Sequence, residues 1–144
     1  MENAIVIKLT PTNQRSAGEE ITATLRNAEQ HNGKTLFTFD QSVDLRRWKD
    51  RVEHFIATTK NGKTALIARV MDFNDREKNP DAAPDLEEFP QVPPYAPDDK
   101  KTWFALSDVR AIEIREGDFS NDEGRDLLDL IGGRSSRAYV SYSE

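Results

Sequence analysis

A chain of 144 residues with a net charge of −6, 36% apolar residues and a mean hydropathy of −0.75 is long enough to close one hydrophobic core and short for two. The absence of cysteine excludes a disulfide framework and thiolate chemistry. With only His31 and His54 to offer nitrogen ligands, the composition also argues against a zinc site. The longest apolar runs fall far below the ~20 residues that a membrane span needs. The stretch Glu2-Asn3-Ala4-Ile5-Val6-Ile7-Lys8 reads as an opening strand rather than a signal peptide, having no basic region followed by a long apolar one. The expectation is a cytoplasmic protein, one domain over residues 1–144, with no membrane partner. Its acidic balance opposes non-specific attachment to a phosphate backbone. The charge is uneven, however: residues 74–102 hold eight acids against four bases and so carry −4 of the −6, which leaves the rest nearly neutral, with room for a local basic face.

In chain order, residues 4–9 form a short β-type run ended by the turn cluster Thr10-Pro11-Thr12-Asn13. Ser16-Ala17-Gly18-Glu19 has capping-box spacing. Ile21, Leu25 and Ala28 follow as one stripe of an amphipathic helix, which His31-Asn32-Gly33 stops. Residues 35–39 alternate as a second strand, and residues 42–48 suggest a short helical turn capped by Ser42. The strongest hairpin signal is Lys60-Asn61-Gly62, between a β-rich run at 52–59 and another at 63–73, with Asn-Gly suited to a type I′ turn. The second arm is apolar in both alternating sets, Leu66, Ala68 and Val70 against Ala65, Ile67 and Met71, as expected of a strand inside a sheet or barrel wall.

Residues 74–102 contain six of the seven prolines and few aliphatics, which predicts a long acidic loop peripheral to the fold. It reads either as disordered or as an ordered functional loop anchored by Phe89, Val92 and Tyr95. Strand character returns at 103–106 and 109–115. Ser120-Asn121-Asp122-Glu123 again has capping-box spacing, ahead of a helical stripe of Leu127, Leu128 and Ile131 closed by Gly132-Gly133. Residues 138–142 form a closing strand. The sum is an α+β fold: a small, curved, mostly antiparallel sheet or open pseudo-barrel with two to three peripheral helices.

Signs of catalysis are sparse. No glycine-rich phosphate loop is present, and a nucleophile system would have two histidines and no cysteine to draw on. His54 shares a strand face with Val52 and Ile56, as a half-buried core histidine does, and His31 suits a helix terminus. Asp108 with Glu113-Ile114-Arg115 echoes the carboxylate pattern of metal-dependent nucleases, but arginine cannot serve as the base. The acids of the proline-rich segment lack the regular ligands of a calcium loop. Neither a metal nor a cofactor is expected, and the residues favour a binding module over an enzyme. Trp48, Trp103, Tyr95, Phe39 and Phe89 fall at element ends or in loops. They serve there either as staples between loop and core or as walls of a recess for a flat ligand.

The run Lys49-Asp50-Arg51-Val52-Glu53-His54-Phe55-Ile56, with Ala65-Leu66-Ile67-Ala68-Arg69-Val70 as its partner, resembles the central hairpin of PUA-like domains, in particular the EVE, ASCH and YTH-like branches. The flanking order is also similar, a strand and helix before and Trp103-Phe104-Ala105-Leu106 after. Lys49 stands where the family usually has glycine, and the acidic proline-rich insertion is not a general family feature. The resemblance implies a pseudo-barrel whose aromatic-lined pocket recognises a modified or flipped nucleobase. Trp48, Trp103 and Tyr95 are then the ring candidates, Ser42 and Asp50 the polar readers, and Arg46, Arg47, Lys49, Arg51 and Arg69 the contacts to a nucleic-acid backbone. The alternatives are a protein-interaction module, accessory or inhibitory and of phage type, whose acidic loop engages a basic protein partner, and a small enzyme.

Overall fold

The computed structural model describes residues 2–10, 16–39, 51–75, 83–91 and 102–143. Ser42, Arg46, Arg47, Trp48, Lys49, Asp50, Val92 and Tyr95, and with them the expected helical turn at 42–48, lie outside the described residues. Six strands and two helices are described. They are β1 (Ala4–Lys8), α1 (Ala17–Gln30), β2 (Thr35–Phe39), β3 (His54–Thr58), β4 (Ala65–Asp75), β5 (Thr102–Ile112), α2 (Leu127–Gly132) and β6 (Arg137–Val140). The strands form one open sheet in the order β2-β5-β4-β3-β1-β6. β1 and β3 run parallel and every other neighbouring pair is antiparallel, so the fold is α+β on a mixed sheet.

Local chemistry accounts for the elements. The Ser16 hydroxyl accepts from the Glu19 amide at 3.2 Å and the Glu19 carboxylate accepts from the Ser16 amide at 3.2 Å. That is the capping box its spacing predicts, worth about 1 kcal/mol. α1 buries Ile21, Thr24 and Ala28. It ends where Asn32 and Gly33 take φ of 59° and 79°. Period-2 alternation then divides the strands between two faces. Ile5, Ile7, Phe55, Ala57, Leu66 and Ala68 join Ile21 of α1 in one cluster. Ala4, Val6, Ile56, Ala65 and Ile67 join Leu127 and Ile131 of α2 in another. The two helices therefore cover opposite faces, and β4, apolar on both sides, lies inside the sheet as its sequence predicts.

The β3–β4 hairpin is present, with Thr58 opposite Ala65, but its turn is not type I′. That turn needs positive φ at both central residues, and Asn61 is not among the positive-φ residues, whereas Gly62 is, at 73°. The Asn61 side chain instead accepts from the Lys63 amide at 3.0 Å, and Thr59 and Thr64 close a wider loop. Gly62 is needed for a second reason. A β-carbon there would lie 3.0 Å from both Ile114 Cβ and Leu128 Cδ2, and the Gly62 carbonyl accepts from the Ile114 amide at 2.8 Å. The hairpin tip is thus packed under α2.

Two further expectations are corrected. The cap of α2 is Asp126, whose carboxylate accepts from the Leu128 amide at 3.0 Å and from the Gly117 amide at 2.8 Å, not Ser120. Asn121 explains the change: its side chain accepts from the Glu123 and Arg125 amides at 3.0 and 2.9 Å, holding 121–125 in a turn that competes with a helix. The acidic segment, in turn, is not wholly peripheral. Phe89 is buried with Leu36, Trp103 and Ala105, and the Pro90 carbonyl accepts from the Leu36 amide, the Asn27 side chain and the Thr35 hydroxyl at 3.1, 2.8 and 3.2 Å.

The predicted strands at 103–106 and 109–115 are joined in β5, which carries the irregularity between them. Ile67 pairs with Arg110 and Arg69 with Ser107, so β5 holds one extra residue there. Val70 pairs with Leu106 and Asp72 with Ala105, so β4 holds the next. Asp108, at φ 52°, absorbs the first of these β-bulges. It returns Val109 to the face that α1 covers and Ile112 to the face of α2, an alternation that an unbulged strand would invert.

Two substitutions test this packing. Gly62→Val should lower stability by about 3 kcal/mol, from strained backbone and overpacking together. Phe89→Ala should cost about 3 kcal/mol as a deletion beneath a loop. Both are read from urea denaturation midpoints. Values below about 1 kcal/mol would place the hairpin tip or Phe89 outside the packed structure.

Candidate functional site

Between the cluster under α2 and the one around Phe89, the same face of the sheet opens into a recess of about 600 Å³. Its floor is the bulged centre of the β4–β5 ladder, Ile67, Ala68 and Arg69 on one strand and Asp108, Val109 and Arg110 on the other. His54 at the start of β3 and Tyr142 just beyond β6 form a wall. The bulge delivers the polar side chains to this place, because it puts Arg110 in register with Ile67 and leaves Asp108 at the kink.

Tyr142 is held from several directions. The Asn3 side chain donates to the Tyr142 carbonyl at 2.8 Å and accepts from its amide at 2.7 Å. The Asn3 carbonyl accepts from the amides of Glu53 and His54 at 2.8 and 3.2 Å. One asparagine therefore sets the positions of both ring-bearing residues. Their rings meet edge to face, centroids 4.6 Å apart at 82°, a favoured arrangement of aromatic quadrupoles. Phe119 supports Tyr142 from elsewhere at 5.8 Å, and Arg110 Nη2 donates to the Tyr142 phenol oxygen at 2.6 Å. A second recess of about 500 Å³, lined by Phe119, Asp118 and Ser141, shares Tyr142 with the first, so the tyrosine stands as a partition.

Two charged groups of the recess, Arg69 and Asp108, face each other across the bulge. Arg69 Nε lies 3.9 Å from Asp108 Oδ2, with the two side chains 49% and 73% exposed. An ion pair this open contributes about 0–1 kcal/mol. His54, at 6% exposure, is a core residue at the margin of the recess. Among the described residues no three His, Asp or Glu side chains converge as metal ligands. The recess brings together two guanidinium groups, one of them bonded to Tyr142, a carboxylate that only accepts, and two rings that meet edge to face.

Of the sequence-predicted site residues that are described, Trp103, Arg51 and Arg69, the last lies at the recess. Trp103 is 2% exposed and lies beneath Phe89, with Thr38 and Asn74 as its cross-strand neighbours. Four positions of strand, about 13 Å, separate it from Ser107, the partner of Arg69. Arg51 is exposed ahead of β3. The remaining members lie outside the described residues. Sequence reasoning missed Arg110 and Tyr142, and it took His54 for core and Asp108 for a weak nuclease echo. The break in alternation between residues 106 and 109 was the available signal. Such a slip marks a bulge, and bulges concentrate beside functional sites.

No helix among the described residues is long and apolar enough to cross a membrane. Comparison with protein-family models, with curated proteins and with solved structures gives no match.

Proposed function

We propose that the chain is a non-catalytic binding module of PUA-like type that takes a flipped or modified nucleobase of a nucleic-acid strand into the recess between His54, Tyr142 and the β4–β5 bulge. The observation that carries this reading is the meeting of Arg69 and Arg110 with the His54–Tyr142 ring pair in one concave site on a chain of net charge −6. Guanidinium groups placed beside aromatic rings suit a ligand that is flat at one end and anionic at the other. The PUA-like assignment draws support from the order of elements. The β3–β4 hairpin is central, a strand and helix precede it, and the strand carrying Trp103 and Leu106 follows and pairs with it. The two bulges are devices that bend strands and are in keeping with a sheet curled toward an open pseudo-barrel. Ligand is bound here on the face of α2, between the α2 cluster and the Phe89 cluster, so the ring role moves from Trp103 to Tyr142.

The test is a fluorescence-anisotropy titration of the whole chain with single-stranded RNA and DNA hexanucleotides, with and without base modifications. Tyr142→Ala should weaken binding by about tenfold to a hundredfold, the worth of one stacked base. Binding should fall only shallowly with salt, with a log–log slope no steeper than about −1.4, the limit for two phosphate-neutralising arginines on a single strand. Failure of every oligonucleotide to bind, or an undiminished affinity in Tyr142→Ala, would overturn the reading.

A further inference from the structure

We infer that the recess selects guanine among the bases and that Asp108 is the residue that determines this specificity; the inference rests on the nucleobase-binding reading above. A carboxylate is the wrong group with which to line a site for phosphate alone, since it repels the anion that Arg69 and Arg110 attract. Yet Asp108 stands at the lip of the recess, with Oδ2 3.9 Å from Arg69 Nε and its side chain 73% exposed. That separation is too long for a hydrogen bond, so the carboxylate oxygens keep their acceptor capacity. The backbone beneath them is held at φ 52°, a conformation uncommon outside glycine. The Val109 amide, donating to the Gly33 carbonyl at 3.3 Å, ties it to the turn after α1. Strain of this kind persists where the surroundings over-determine it, and it clusters at binding sites.

Side by side, an arginine and a carboxylate present a row of donors followed by a row of acceptors. Guanine carries the matching row around two adjoining edges: N7 and O6 accept on the Hoogsteen edge, and N1–H and N2–H₂ donate on the Watson–Crick edge beside it. Arginine to O6 and N7 is the commonest specific contact to this base, and a carboxylate can accept from N1 and N2 together. The other bases do not match the array. Adenine offers a single amino group beside the acceptor N1, and cytosine one beside the acceptor N3. Uracil sets its one N–H between two carbonyl oxygens, which a carboxylate repels. Each polar group of a mismatched base that is left facing a like group costs binding free energy.

The experiment uses 5′-labelled hexauridylate in which one central position is G, A, C or U, titrated by anisotropy against the whole chain. The G-containing strand should bind about tenfold or more tightly than the other three. Asp108→Asn tolerates positive φ as aspartate does, and it should shrink the preference to about twofold, because the amide sets a donor against N1–H or N2–H₂. Arg69→Gln should shrink it likewise, and urea midpoints report whether each variant is folded. Equal binding of the four strands would refute guanine selection, and a preference that survives in Asp108→Asn would refute Asp108 as its determinant; either leaves the nucleobase reading in place. Absence of binding by all four would remove guanine selection, and failure of the base-modified oligonucleotides as well would remove the nucleobase reading with it.

Discussion

The ladder between β4 and β5 is the constraint on which the rest of the structure depends. Both strands are eleven residues long, and the sheet they centre is covered on both faces, by α1 on one and by α2 and the Phe89 segment on the other. A strand buried on both sides has no neutral face onto which a misplaced residue can be turned. Each inserted residue inverts every side chain beyond it, so the two bulges act as a pair. The extra residue in β5 at Asp108 and the extra residue in β4 near Met71 restore the alternation on both strands, and Phe73 stacks on Phe104 beyond them. Met71 is left 54% exposed, the visible cost of the second bulge. At the first, the ladder cannot be packed over, and there the face stays open and polar.

The two ends of this face are closed by different means. Near β6 the cover is a short helix whose last carbonyls, on Ile131 and Gly133, accept from Lys8 Nζ at 3.0 and 2.6 Å, so a strand side chain supplies the C-terminal cap that Gly133, extended rather than left-handed, does not. Near β2 the cover is Phe89, with Lys34 Nζ both 3.0 Å from Glu88 and 5.9 Å from the Phe89 ring. Gln91 bridges to Leu36 in parallel sense, and so blunts a sheet edge that would otherwise offer unpaired backbone groups.

Much of this was legible in the sequence, for reasons that are local. The Ser16–Glu19 box, the Ile21 stripe, the Asn32-Gly33 stop and the doubly apolar β4 each act over one or two turns of chain, and each is found where its spacing places it. The signals that misled were local ones too, defeated by a nearer competitor. Asn61-Gly62 names a two-residue turn, but Gly62 is held by its fit under Ile114 and Leu128, and the loop widens to reach them. Ser120 has the spacing of a cap, but Asn121 claims the Glu123 amide and Asp126 stands next to the helix. The strand order was not legible, because insertion of β5 between β2 and β4 and the parallel pairing of β1 with β3 depend on contacts far apart in sequence. Tyr142 and Asn3 belong to that category, and so therefore does the wall of the recess. Trp103 shows the converse: an aromatic beside a proline-rich loop looks like a ligand-facing ring, and only the position of Phe89 reveals that its face is already taken.

The bonds between Asn3 and Tyr142 join residues 139 positions apart, and this has a consequence for folding kinetics. Contacts of such sequence separation carry the largest loop-closure cost and form late in topologies rich in them. The hairpin and α1 can organise from local signals, whereas the recess has no wall until β6 has docked beside β1. A ligand that needs Tyr142 then binds only the fully assembled sheet, never a partly folded one, and its occupancy stabilises the native state as a whole by mass action. Saturating ligand should therefore slow global unfolding and protect amides of β1 and β6 from hydrogen exchange along with those of the strands at the recess floor.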